Sequence, residues 1–293
     1  MRRLVLLMAL LVVSAGARAD DDDIAKDANP LYRLDTKNLF GALEGADVGG
    51  AGDKSLELET TASLFKRPGR YAFVEQEGIL EFTPTSRLGV EFGLHGFGQS
   101  IRGVPGIANY SGADLSGVSN EWRYVLAPRG GAWQTQATLT VTGEWASLFE
   151  GGARGREFGL PLLFILDAQP ISRRLYAGLN LSYAPEISRV AGQPWERASA
   201  LAASAALSWR FTPAAMLGGE ADFANLFDGV AAQNWRGSAF FLGPTFHYQF
   251  NDRVDLSGAW TQQIAGAAPG APSALNLAEF TRSRAKLRLE IDF

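Results

Sequence analysis

The last residues of the chain sort into two classes by parity. Ala285, Leu287, Leu289, Ile291 and Phe293 alternate with Arg282, Arg284, Lys286, Arg288, Glu290 and Asp292. A strand sends successive side chains to opposite faces. One face of this segment is therefore apolar and ends in an aromatic residue, while the other is a row of ionisable groups. A soluble sandwich buries one face and wets the other, but rarely lines a strand with consecutive charges. A barrel in lipid has this pattern by necessity, apolar outward and polar toward a wet lumen.

The N-terminus points to the same compartment. Arg2 and Arg3 precede an apolar run, Leu4 to Val13, that is too short to cross a bilayer as a helix. Ala17-Arg18-Ala19 then offers the small residues of a cleavage site. Residues 1–19 read as a cleaved secretory signal. The chain has no cysteine, so disulfides, thiolate metal sites and lipoprotein acylation are excluded. With 27 basic and 31 acidic side chains there is no basic excess of the kind nucleic acid requires. No long apolar run follows the signal, which excludes a helical membrane protein. A mean hydropathy near zero does not exclude a barrel, because its two strand faces cancel.

Residues 20–54 are polar and Gly-rich, with GADVGGAGDK (45–54) as the flexible part and Leu31, Tyr32, Leu39, Phe40 and Leu43 as apolar content. They read as a flexible periplasmic leader or a partial plug in the barrel mouth. From residue 55 to 293 the chain alternates and turns through twelve runs. The fifth is the clearest: Trp133, Thr135, Ala137, Leu139, Val141 and Trp145 face away from Gln134, Gln136, Thr138, Thr140, Thr142 and Glu144. Its apolar face carries an aromatic residue at each end, as girdles at two membrane interfaces require. The run from Glu157 to Asp167 is apolar on both faces and is the least distinct. Short turns near 84–86, 127–131, 168–172, 212–214 and 251–252 alternate with longer connections near 98–114, 148–156, 186–197, 225–237 and 265–278. The expected fold is all-β, a transmembrane antiparallel up-and-down barrel of about twelve strands. An even strand number puts both termini on one side, the periplasmic one.

The face opposite the apolar one supplies a charged lumen. Its expected ladder comprises Glu57, Glu59, Arg123, Arg210, Arg282, Arg284, Lys286 and Arg288, with further acids at Glu75, Glu77, Glu81, Glu91, Glu121, Glu144, Glu220 and Asp222. Isolated charges cost several kcal/mol in a low-dielectric interior and must be paired or hydrated. The first and last strands must also meet to abolish the sheet edge. Glu57 and Glu59 are therefore expected to pair with Arg284, Lys286 and Arg288 across the closing seam. Such pairs either fill and stiffen the barrel or line a path for charged solutes.

His95 and His247, the only histidines, fall on inward faces and read as hydrogen-bonded lumen residues. Neither the lipid-facing His–Ser pair of outer-membrane phospholipases nor the rim acids of outer-membrane proteases is matched, so no enzyme, cofactor or metal is expected. Tyr110, Trp195, Phe227 and Trp235 fall in or beside outer loops, where they either pack the loops over the mouth or contact surface ligands.

The signal, the alternating strands and the terminal LRLEIDF resemble the broad class of Gram-negative outer-membrane β-barrels over residues 55–293. The segment LSGVSNEWRY (115–124) looks like sequences of uncharacterised barrels of this kind. The resemblance implies an outer-membrane location and Phe293 as an assembly signal read by the β-barrel assembly machinery. Outer-membrane lipids, periplasmic chaperones and a small-molecule solute are the implied partners. The expected function is a channel or transport protein for small, charged solutes. The alternative is a non-conducting structural or surface-interaction barrel with a filled lumen.

Overall fold

In a computed structural model, residues 35–66, 68–270 and 274–293 are described. The signal-peptide expectation for 1–19, and the first part of the leader, lie outside the described residues. Thirteen strands follow in order. The first five are β1 (Lys54–Leu64), β2 (Arg70–Thr85), β3 (Leu88–Arg102), β4 (Tyr110–Gly130) and β5 (Thr135–Leu148). The next four are β6 (Arg154–Gly159), β7 (Leu162–Ile171), β8 (Leu175–Val190) and β9 (Glu196–Arg210). The last four are β10 (Ala215–Asp228), β11 (Gln233–Gln249), β12 (Val254–Ala267) and β13 (Ser283–Asp292). Neighbours pair antiparallel throughout, and β1 pairs with β13 from Ser55↔Asp292 to Leu64↔Ser283. The sheet therefore has no free edge.

β6 and β7 occupy a single place in the wall. Both pair with β5 on one side and β8 on the other. Leu160-Pro161 separates them, because proline has no N–H to give the ladder. The Pro161 carbonyl still accepts from Thr142, and the Leu160 N–H donates to Pro185. The barrel is thus a closed transmembrane one of twelve staves, and the run whose alternation was least distinct is the broken stave.

Outward faces carry the apolar residues. One belt, near the start of β1 and the end of β13, includes Trp122, Trp133, Tyr248 and Phe293, and another at the far end includes Phe65, Trp195, Trp235 and Trp260, all exposed. Phe293 is 67% exposed and its N–H donates to the Lys54 carbonyl, which ties the end of the chain to the start of β1.

The expected alternation of short turns and long outer loops is corrected. Far-end connections such as 103–109, 191–195 and 229–232 are short, because strands continue past the apolar belt into Gly-, Ser- and Asn-containing stretches. There the hydropathy alternation that marks a strand fades while the backbone ladder persists. Only the link between β12 and β13 is long. It turns into the barrel: Phe280 is fully buried against Phe241, Leu226 and the small inward residues Ala184, Ala200, Ala202, Ala224 and Ala239.

Candidate functional site in the lumen

Residues 35–48 lie inside the wall at the end where β1 begins and β13 finishes. Leu39, Phe40 and Leu43 are buried with Tyr176, Ala206 and Met216, and Ala46 with Leu163 and Ile165. The segment is a compact loop. Thr36 donates from both its N–H and its hydroxyl to Asp47 at 2.9 Å, and the Gly45 N–H donates to the Lys37 carbonyl at 2.8 Å. A wall glycine, Gly178, makes room for it. A Cβ at Gly178 would sit 2.6 Å from Leu43 and 2.9 Å from Phe40. One at Gly258 would crowd Phe246 of its own wall, while the Gly258 carbonyl leaves only 2.6 Å for a Cβ at Gly41, whose φ is +85°.

Polar groups fasten the loop to the wall at several points. The Lys37 ammonium lies 2.5 Å from Glu81, 3.0 Å from Glu91 and 3.6 Å from Glu57. Burial pulls its pKa down, but Glu81, Glu91, Glu57 and Glu290 outweigh this and hold it well above the ordinary lysine value. Glu44 faces the opposite charge: Arg123 at 3.6 Å, Lys286 at 3.7 Å, and Arg288 in direct contact. Arg129 bridges Asp47 at 2.8 Å and Asp167 at 2.6 Å, and the Thr36 hydroxyl also lies within hydrogen-bond distance of Asp167. Glu220 accepts the N–H groups of Ala42 and Leu43, while Asn38 donates to Glu57 and Glu290.

The ladder residues are distributed as follows. Arg288 donates from Nε to Glu59 at 3.0 Å and lies 3.5 Å from Glu57, and Lys286 reaches Glu59 at 2.6 Å. These contacts lie along the β1–β13 seam. Arg284 crosses the lumen instead, meeting Asp222 at 2.5 Å with its guanidinium over the Phe241 ring. Arg123 pairs with Glu121 at 3.1 Å, and buried Arg210 sits over the Tyr176 ring. Arg282 is the correction. It is exposed, in a bend before β13 begins at Ser283, so its parity no longer decides its direction.

Lys37, Asn38, Glu44, Asp47, Arg129 and Asp167 were missed by sequence reasoning. Leu39, Phe40 and Leu43 in a Gly-rich leader were the signal: three large apolar side chains close together need a surface to bury against.

Beyond the loop, a cavity of about 430 Å³ remains on the β1–β5 side, between the loop and the inturned β12–β13 link. Eleven glutamates line it against five lysines and arginines. The five cations all have carboxylate partners. Glu75 and Glu144 have no cation within ion-pair distance among the described residues. His95 lies 3.2 Å from Glu77, to which Ser119 also donates at 3.1 Å. Because the glutamate stands between the two, the imidazole cannot take the serine proton as a nucleophilic triad requires. Among the described residues no group of three His, Asp or Glu is placed to hold a metal. Tyr110 packs its ring on Gly152 at the far end, while Trp195 and Trp235 stay exposed.

A family model described as a family of unknown function (DUF6662) matches residues 33–293. No curated protein matches the chain. Among solved structures, the chain is similar to the COG4313 outer membrane channel from Pseudomonas putida F1, with TM-score 0.54 and 12% identity over 85% of this chain and 98% of that one. It also aligns with the KdgM porin in complex with disordered oligogalacturonate, at TM-score 0.45 and 8% identity over 82% of this chain and 99% of that one. The NanC porin aligns at TM-score 0.47 and 8% identity, over 81% of this chain and 98% of that one. The first of these likenesses supports the barrel fold.

Proposed function

The chain belongs to DUF6662, a family of unknown function, and we propose that this member is an outer-membrane channel for small charged solutes, stoppered by its own leader. The observation that carries this is the construction of the lumen. A barrel meant only as an anchor can fill its interior with side chains from its own wall. Here the wall withholds bulk where the leader sits, at Gly178, and the leader supplies Phe40 and Leu43 in its place. The remainder is a hydrated cavity with far more charge than a packed interior tolerates unpaired.

The start of β1 and the end of β13 lie at one end, which in this reading is the periplasmic one, so the leader closes the barrel from the periplasm and the acidic cavity lies toward the exterior. Outer-membrane lipids cover the apolar belts. Phe293 acts with the assembly machinery and periplasmic chaperones before the barrel closes.

The absence of cysteine makes the test direct. Ala46→Cys with Leu163→Cys places a thiol on the leader and one on the wall within one apolar cluster. Refolded into planar bilayers, the oxidised double variant should stay closed, and dithiothreitol should restore the opening events of the unmodified chain. Equal conductance in the two redox states, with the disulfide verified by mass, would refute the stopper. No conductance from either state would favour the filled, structural barrel.

A further inference from the structure

Two of the leader's charged groups, Glu44 and Lys37, meet the charges of the β1–β4 and β13 wall, and they are not equivalent. The three cations around Glu44 each keep a wall carboxylate when Glu44 is removed: Glu121 for Arg123, Glu59 for Lys286, and Glu57 and Glu59 for Arg288. Lys37 is different. Glu81 has no other cation within ion-pair distance among the described residues, and Arg123 lies only within 3.9 Å of Glu91. Undocking the leader therefore leaves a wall site with a deficit of positive charge. Its shape is set by what now fills it, a primary ammonium on a thin alkyl stem, 4% exposed and held by three carboxylates.

The approach to that site has the same sign. The cavity carries six more carboxylates than cations along its lining, and Glu75 and Glu144 lie in it without an ion-pair partner among the described residues. A cleft lined by one sign of charge with low-dielectric walls concentrates ions of the other sign. Anions meet the converse barrier.

We propose that Glu57, Glu81 and Glu91 form a binding site for a small primary amine, and that Lys37 of the leader is its resident competitor. The proposal rests on the channel reading above and names its solute class. An alkylamine entering through the glutamate-lined cavity replaces the Lys37 ammonium atom for atom. The leader then loses its strongest fastening as the solute arrives, so entry and opening are coupled through one site. Lysine suits this role because its ammonium is a compact point charge on a flexible stem, whereas a guanidinium would demand planar partners.

The experiment uses the full refolded chain with putrescine as probe and sodium glutamate as the anionic control. Calorimetric titration should show putrescine binding at least tenfold tighter to Lys37→Met than to the unmodified chain, with no gain for glutamate. Combining Glu81→Gln and Glu91→Gln with Lys37→Met should abolish the gain. In bilayers under a KCl gradient the reversal potential should show potassium preferred over chloride. Unchanged putrescine affinity in Lys37→Met, survival of the gain in the triple variant, or chloride preference would each overturn the proposal. Heat-modifiable gel mobility verifies that every variant is a folded barrel. The two readings fail separately. An amine site in a protein that never conducts defeats the channel, and a conducting barrel indifferent to putrescine defeats the amine site.

Discussion

Phe40→Ala is the cleanest test of whether the leader is a stopper, because Phe40 belongs to the leader and no stave depends on it. Its side chain is fully buried, against Tyr176, Ala206 and Met216 of the wall and Leu39 and Leu43 of its own loop. Truncating a buried phenylalanine costs about 3–5 kcal/mol, combining lost transfer energy with the cavity left behind. That cost falls on docking alone. At about 1.4 kcal/mol per tenfold, the docked-to-undocked ratio should fall by roughly two to three and a half orders of magnitude. Trypsin reads this without a conductance assay. Lys37 is 4% exposed when docked, so cleavage after it tracks the open fraction when opening is fast relative to cutting. The variant should yield a fragment beginning at Asn38 a hundredfold faster than the unmodified chain, and its open probability in bilayers should rise in parallel. The thermal transition of the barrel should stay in place. An unchanged cleavage rate together with unchanged conductance would refute the reasoning, since a docking contact of this size cannot vanish silently.

Gly178→Val attacks the same interface from the wall; its new Cβ meets Leu43 and Phe40 inside van der Waals contact. It should raise conductance as Phe40→Ala does, and a closed channel with normal trypsin resistance would count against the packing described. Arg129→Met leaves Asp47 and Asp167 facing each other without their shared cation. Removing one partner of a buried pair costs about 3 kcal/mol or more, so Lys37 cleavage should accelerate by about two orders of magnitude, and Asp167→Asn in the same chain should recover part of it. The pH dependence follows from Lys37, whose pKa is raised on docking. Its contribution is complete below the ordinary lysine value near 10.4 and is lost only as pH rises through the higher docked value. Conductance should therefore show no alkaline opening between pH 7 and 10, and a step of opening in that window would contradict the assignment.

Period-two alternation made the barrel legible because lipid and lumen impose opposite demands on adjacent residues. Where either demand relaxes, the reading weakened. Beyond the belts at 186–197 and 225–237 the alternation of apolar and polar residues fades, and strands there looked like loops. At 157–167 an inward stretch of Leu163 and Ile165 meets Ala46 rather than water, so both faces looked apolar. The Arg–Lys row of β13 was visible, and its pairing with Glu57 and Glu59 follows from closure alone. Arg284 was not assignable to Asp222, because which residues face each other across a lumen depends on barrel diameter and stagger, neither of which is written in any one strand. Arg129 looked like part of a turn, and its role depends on Asp47 of the leader, 82 residues away.

The leader's attachment decides what kind of stopper it can be. Between Val48, the last of its buried residues, and Lys54, where β1 begins, lie only five residues, of which Gly49 and Gly52 have φ of +74° and +97°. Positive φ is glycine's preserve; Gly52 and Asp53 already pair with Thr83 and the strand that follows is hydrogen-bonded on both sides, so any hinge falls in this short stretch and undocking must also release the Thr83 hydroxyl from the Val48 carbonyl. At about 3.5 Å per extended residue the tether reaches roughly 20 Å. An undocked leader thus stays at the mouth it left. A short tether keeps effective concentration high, so redocking competes with any solute that has displaced it, and each opening is brief. Lengthening the tether by inserting twelve Gly/Ser residues after Gly50 lowers that concentration without touching a single docking contact. Open times in bilayers should then lengthen while the opening rate holds constant. Unchanged open times would mean the leader does not close the barrel by returning, and that its place in the lumen is structural.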